Sequence, residues 1–329
     1  MSTALGLSES ATRQVVSAAG KAPSLFNTQP WRFRLCPDRI EVHADLGCRL
    51  IAHDPEDREL RIACGAALFN LRLALHAHGV TPVVTIEPGD VPDALAVIRR
   101  GPATVQSRDD AALYEAIGRR RTNRQPFLDA PIPEAYRRVL SFAAAAEGAD
   151  LRTIVTPTER FELRCIVAAA DEWQRDDVVC RAELEAWTGD RHGHPDGVPL
   201  AAAGPKPEPQ DAWVYRDMGN GFARPRGRDF EAEPFVSVLS TRMDGPGRQV
   251  QAGQALQRVL LTAAALGLTA SFLSQPIEVA EQRQELRRLL ADGRHPQAVL
   301  RMGFGAPVAA TPRRDAADLL LPEPVGSAR

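Results

Sequence analysis

An α+β fold is what this chain of 329 residues predicts, and three observations carry the expectation. Apolar residues alternate at strand spacing in some segments and recur at helical spacing in others. Helices and strands are mixed, with hairpins, and do not alternate regularly. One helix–glycine–strand unit occurs twice. Trp31, Phe33 and Leu35 alternate with polar residues, Pro37 and Asp38 supply a turn, and Ile40 and Val42 resume the alternation, which predicts a hairpin. Over residues 59–78, Ile62, Ala66, Phe69 and Leu73 predict a helix that Gly79 stops in a left-handed cap. A strand is expected over 80–86 and a linker over 88–102. Helices are then expected at 109–117, 133–147, 158–173 and 248–266, with strands at 151–155, 235–240, 269–273 and 298–302. The repeated unit is GAALFNLRLALHAHGVTPVV from Gly65 and GQALQRVLLTAAALGLTASF from Gly253.

Composition bounds the function. Hydrophobic residues make up 44% and charged residues 25%, and 40 basic against 42 acidic residues give a net charge of −2. Collagen, coiled coil and disorder are excluded as overall descriptions, and no global field draws the chain to nucleic acid or to an anionic membrane. Recognition of an anion must therefore be local. Five cysteines without a C-x-x-C spacing fit reduced thiols, and the first residues carry no secretory pattern, so a cytoplasmic protein is expected. The longest uncharged run, 259–277, reads as a buried helix ending near Gly267 followed by a strand, in preference to a membrane span.

Three stretches bear on chemistry. Arg119-Arg120-Arg121-Thr122-Asn123-Arg124 packs four guanidinium forks and a hydroxyl into six residues; it is either a phosphate cradle or a solvated basic run. In Ala22-Pro23-Ser24-Leu25-Phe26-Asn27-Thr28-Gln29-Pro30-Trp31 two prolines bracket a rigid loop. Its short polar side chains either read the edge of a heterocycle or satisfy the turn itself. Residues 188–234 hold seven Gly and seven Pro, with Trp213, Tyr215 and Phe222 among them, and predict a lid or an irregular insert. Asp190, His192, His194 and Asp196 read as a polar loop before a metal site, and no metal is expected. Cys64, Trp31 and Trp173 read as packing residues.

APSLFNTQPWRF matches the A-P-S-x-x-N-x-Q-P-W motif of the FMN-dependent nitroreductase superfamily, and RRTNRQPF resembles that family's R-R-S-x-R phosphate motif. The segments ALQRVLLTAAALGLTASF and AVLRMGFGAP resemble the family's late helix and closing strand. The motif order is unusual, because the A-P-S motif stands in the first half and the arginine motif in the second, each half lacking what the other keeps. With HDPEDRELRIACGAAL and SFLSQPIEV, this is similar to the Acg-type nitroreductase-like proteins of actinobacteria.

The resemblance implies a nitroreductase-like fold of two degenerate repeats, a pseudo-dimer within one chain, holding one FMN. The halves would be 1–107 and 108–329, with a lid insert at about 174–234. Carried over, Arg120, Arg121, Thr122 and Arg124 would hold the phosphate, joined by Arg314, with Arg313 beside it. Pro23, Ser24, Leu25 and Asn27 would approach the flavin, and backbone of Ser271, Phe272, Leu273, Ser274 and Gln275 would face its N5 atom. No residue is expected to catalyse on its own, since the hydride chemistry belongs to the flavin. Two function classes stay open: an oxidoreductase that takes electrons from NADH or NADPH and passes them to nitro compounds or quinones, and a non-catalytic protein whose lid sequesters FMN. The implied partners are small molecules, without nucleic acid or membrane, and the chain is expected as a monomer in preference to a homodimer.

Overall fold

The structure, a computed structural model, describes residues 3–208, 211, 213, 216–224, 230–231 and 233–322. Helix α1 (Glu9–Ala19) starts where the Ser8 hydroxyl accepts from the Ala11 amide, and a loop over 20–30 leads into the hairpin β1 (Trp31–Leu35) and β2 (Arg39–Ala44). Helix α2 (Arg58–Ala77) follows, then β3 (Pro82–Ile86) and β4 (Ala94–Arg100). The chain continues with α3 (Arg108–Ile117), α4 (Glu134–Ala146), β5 (Asp150–Thr153), α5 (Pro157–Asp176) and α6 (Val178–Trp187). Two short strands, β6 (Thr188–Gly189) and β7 (Val198–Pro199), open the Gly/Pro-rich stretch. After it come β8 (Phe235–Thr241), α7 (Pro246–Ala265), β9 (Thr269–Phe272), α8 (Gln275–Glu278), α9 (Ala280–Leu290) and β10 (His295–Gly303).

The hairpin, both long helices and their glycine stops are as the sequence predicts: Gly79 and Gly267 each have φ of +76°. The uncharged run is helix, glycine, strand. Among the described residues only α2 is long and apolar enough to cross a membrane, and most of it is buried in this fold.

The expected linker at 88–102 is a correction. It contains β4, the strand between β2 and β3, whose Ala94, Ala96, Val97 and Ile98 are buried. A central strand shows a short apolar run without alternation, and flanking prolines gave it the look of a loop. The insert expected from 174 begins inside α5. A Thr156–Glu159 capping box starts that helix, and Asp177 caps α6 directly after it, so irregular chain begins only at 188. Helix α9 carries charge on most of its surface and buries only Leu286 and Leu290, too faint a stripe to predict it.

Both four-stranded sheets are antiparallel and share one order: β1-β2-β4-β3 and β5-β8-β10-β9. In each, a long helix links the second strand in the chain to the third. Those helices, α2 and α7, pack against each other where backbone meets backbone. A Cβ on Gly65 would lie 2.1 Å from the Val250 carbonyl oxygen, and one on Gly253 would lie 2.0 Å from that of Ile62. Each sheet covers its own apolar cluster, one around Trp31, Phe33 and Leu71, the other around Leu140, Leu256 and Leu300.

Candidate functional site

The loop over 20–30 is held open by its own side chains. The Ser24 hydroxyl accepts from the Gln29 amide at 2.9 Å, and Phe26, Asn27 and Gln29 sit at φ of +49°, +58° and +53°. Three positive-φ residues without a glycine are strained backbone, which persists only where the surroundings over-determine it. Here they do. Asn27 Nδ2 donates to the carbonyls of Gly197 at 3.0 Å and Pro312 at 3.1 Å, and its Oδ1 accepts from Arg313 at 2.7 Å. Gln29 donates to the Pro195 carbonyl at 2.8 Å and accepts from the Arg314 amide at 3.0 Å. The loop thus gathers the insert and the C-terminal segment around itself.

The arginine segment hangs on the edge of the second sheet. Thr122 forms a parallel bridge with Ala270, the Asn123 amide donates to the Ala270 carbonyl at 2.8 Å, and Asn123 Nδ2 donates to the Ala306 carbonyl at 3.0 Å. Arg120 is buried, donates to the Lys21 carbonyl at 3.1 Å and leaves its Nε without a partner. Arg124 donates to the Ala202 carbonyl at 2.9 Å, and Arg121 bonds only backbone carbonyls of its own turn. Among the described residues no carboxylate pairs with Arg120, Arg121, Arg124 or Arg313. Burial, reinforced by the charges of Arg313 and Arg121, pushes the Arg120 pKa down to about 9. Burial and Arg216 push Arg124 down to about 10, and burial and Arg121 do the same to Arg313. Guanidinium groups stay protonated at such values, so Arg120, which is buried, and Arg124 and Arg313, which are half-buried, are cations without a carboxylate partner among the described residues. Arg314 differs: its guanidinium meets Asp196 at 2.7 Å and Asp45 at 3.7 Å, so its charge is already matched.

Between these two segments lies a cavity. Pro23, Ser24, Leu25 and Phe26 line one side, and Thr122, Arg124, Phe272 and Ser274 the other. Helix α2 contributes Glu59, Ile62 and Ala63, α7 contributes Leu256, and the insert contributes Met218. Of the residues singled out from the sequence, Pro23, Ser24, Leu25, Thr122, Arg124, Phe272 and Ser274 meet here. Ser271, Leu273 and Gln275 instead line an adjoining space with Trp213 and Arg301, and the Leu273 side chain is packed in the core. Asn27 points away from the cavity toward Arg313. Tyr215 lies outside the described residues.

Besides its contacts with the loop over 20–30 and with Arg314, the insert is docked through Gly204 and Arg216. Gly204, at φ of +78°, lies so close to Arg124 that a Cβ there would stand 2.5 Å from its carbonyl oxygen. Arg216 reaches Glu278 at 2.5 Å, Gln174 at 2.5 Å and Ser274 at 3.2 Å, with its guanidinium 5.3 Å from the Phe26 ring centre. Burial raises the Glu278 pKa, but the charge and hydrogen bonds of Arg216 outweigh it and hold the carboxylate below its usual range. Asp196, from the possible metal group, is bonded to Arg191 at 2.7 Å and to Arg314. Burial pushes the Cys64 thiol well up, and its Sγ donates to the Pro30 carbonyl at 3.4 Å, the environment of a packing residue.

Sequence reasoning missed Glu59, Met218 and Arg216. Glu59 had a signal: it occupies the apolar stripe with Ile62, Ala63 and Ala66 at helical spacing, an acid on a face that should be buried. The insert residues had none, because irregular chain carries no period.

The chain resembles "Putative NAD(P)H nitroreductase Rv3131" of Mycobacterium tuberculosis, with 34% identity over 311 residues, 92% of this chain and 89% of the relative. It is 30% identical to "Putative NAD(P)H nitroreductase acg" of the same organism over 311 residues, 92% of each chain. A solved nitroreductase with bound FMN from Desulfitobacterium hafniense aligns with 63% of this chain and 95% of its own, at 14% identity and a TM-score of 0.40. No family model matches the chain. Relatives this similar over nearly their whole length establish descent: the chain belongs to the nitroreductase superfamily, in its Acg-like group.

Proposed function

We propose that the protein is a single-chain FMN oxidoreductase that draws electrons from NADH or NADPH and passes them to quinones, nitro compounds or similar acceptors. The observation that carries this reading is Arg124, a cation without a carboxylate partner among the described residues, in the wall of a largely apolar cavity, with the equally unmatched Arg120 and Arg313 near each other on the Lys21 and Ala22 carbonyls of the loop that forms the opposite wall. A phosphate monoester carries about −1.5 to −2 charges and forms bidentate bonds with guanidinium forks, which matches the missing charge. Arg120, Arg124 and Arg313, with Thr122 and Arg121, would hold the phosphate. Arg314, already paired, would brace Asp196 instead. Pro23, Ser24 and Leu25 would bound the ring on one side, and Phe272 and Ser274 on the other. Ile62, Ala63 and Leu256 would exclude water from it. When bound, the flavin supplies hydride acceptance and donation; the chain supplies orientation, charge balance and a dry site.

The shared strand order and the meeting of Gly65 with Gly253 support a duplicated pseudo-dimer. Equivalent points of two repeats touch at an isologous interface, where a two-fold axis would pass. The halves would be 1–107 and 108–329, with 188–234 as the lid. Anaerobic titration of the yellow protein with NADPH and NADH tests the reading. Bleaching fast enough for turnover is expected. Reduction by dithionite but by neither nicotinamide would mean that the lid sequesters FMN, and a chain that takes up no FMN would overturn the proposal. Arg120→Ala combined with Arg124→Ala should abolish flavin retention after gel filtration.

A further inference from the structure

Glu59 stands in the wall between two spaces. One is the cavity between the loop over 20–30 and the arginine segment; the other is a cleft bounded by α2, α8 and the start of α9, with exposed Glu56 at its edge. Among the described residues no group hydrogen-bonds to the Glu59 carboxyl. Neighbouring acids are committed elsewhere: Asp54 accepts from the amides of Arg58 at 2.7 Å and Leu60 at 2.8 Å, and Glu278 is paired with Arg216. The charged groups facing Glu59 are Asp54 ahead of α2, Arg58 on it, Glu278 on α8 and Arg216 in the insert, and Arg124 lines the same cavity. Burial first, then Asp54 and Glu278, push its pKa well above the usual carboxylate range, while Arg58 and Arg216 oppose them. Both the burial and the missing hydrogen-bond partner favour the protonated carboxyl over the carboxylate.

We propose that Glu59 is the proton donor for the electron acceptor, recharged from solvent through the outer cleft. The inference rests on the oxidoreductase reading. A quinone that has received a hydride is a hydroquinone monoanion and lacks one proton on its second oxygen. The Glu59 O–H bond breaks, its proton joins that oxygen, and the bonding pair remains on Glu59 as carboxylate. A hydronium ion in the cleft then returns the proton and leaves water. The hydride comes from the reduced nicotinamide, so electrons and protons balance. Among the described residues, the only other titratable side chain in the wall of the inner cavity is Arg124, a guanidinium that keeps its proton.

The FMN-loaded wild type, Glu59→Gln and Glu59→Asp should each be reduced with NADPH and mixed with benzoquinone in a stopped-flow instrument, across neutral and alkaline pH. Reoxidation of Glu59→Gln should be slower by about 10²-fold. The wild-type rate should fall as pH rises through the raised pKa and show a solvent deuterium effect, while the Glu59→Gln rate stays flat; Glu59→Asp should recover part of the rate. Infrared spectroscopy of the resting proteins gives a readout apart from activity: the carbonyl band of a protonated carboxyl should be present in the wild type and absent in Glu59→Gln. Equal rates and pH profiles in wild type and Glu59→Gln, or no protonated carboxyl assignable to Glu59, would overturn the relay alone. A wild type whose flavin neither nicotinamide reduces would overturn the oxidoreductase reading and the relay with it.

Discussion

The chemistry turns on how each arginine is matched. Arg58, Arg301 and Arg314 meet Asp244 at 2.6 Å, Glu231 at 2.8 Å and Asp196 at 2.7 Å, whereas among the described residues Arg120 has only the Lys21 carbonyl. A buried cation without a counter-charge opposes folding, and replacing it with an apolar side chain of similar reach relieves that cost by about 1–3 kcal/mol. Arg120→Met should accordingly melt at a higher temperature than the wild type when both are stripped of flavin. Adding saturating FMN should reverse the order, since binding to the native state raises only the stability of the protein that still binds. Calorimetry of both proteins with and without FMN is the check. A flavin-free Arg120→Met less stable than the wild type would show that Arg120 serves packing and not anion binding. The basic run itself was plain in the sequence. Which of its arginines lacks a partner was not, because that depends on Lys21, Ala202 and Arg313, distant in the chain and brought close only by the fold.

At the scale of elements, periodic segments were legible and irregular ones were not. The helices around Gly65 and Gly253 and the hairpin after Trp31 announce themselves by spacing, while β4 is hidden by its burial on both sides and α9 by its charge. The insert could be bounded only by composition, so its anchoring through Arg216 had no trace in the sequence. That anchor is a buried ion pair, with the Glu278 side chain fully covered. Removing one partner of such a pair leaves the other charge stranded, at about 3–5 kcal/mol. Because Arg216 belongs to the insert, the loss should fall on its docking more than on the core. Arg216→Ala should speed amide exchange in 216–224 by about two to three and a half orders of magnitude, which is what that energy implies, and should speed FMN release. Acid should act the same way. The Glu278 pKa is lowered by folding, so the ion pair's stabilisation is present above the ordinary value of 4.5 and is lost as pH falls through the lowered one. Exchange corrected for its intrinsic pH dependence should stay flat through neutral pH and rise only in acid. Unchanged protection in Arg216→Ala would mean that the insert is held by other contacts.

For the whole molecule, the proposed duplication raises the question why two like halves would hold one site and not two. The two sheets share their strand order, yet the segments around them differ. In the first, the loop over 20–30 lies between α1 and β1; in the second, only Glu147, Gly148 and Ala149 separate α4 from β5. The second half carries α3 and the arginine segment, for which the first has no counterpart. If Gly65 and Gly253 are equivalent, Gly247 on α7 corresponds to Glu59 on α2. A Cβ at Gly247 would lie 2.1 Å from the Glu87 carboxylate, so an acid side chain stands where the cavity related by the two-fold axis would open. A carboxylate at that place, without an arginine run, repels a phosphate. One FMN per chain is therefore expected, with both halves of the site supplied in cis, and no second copy is needed to complete it. Flavin titration should saturate at one FMN per chain, and sedimentation of the loaded protein should give the 35.8 kDa of a single chain. Binding of two flavins, or occupancy that vanishes as a dimer is diluted into monomers, would mean that the halves do not form the site as argued.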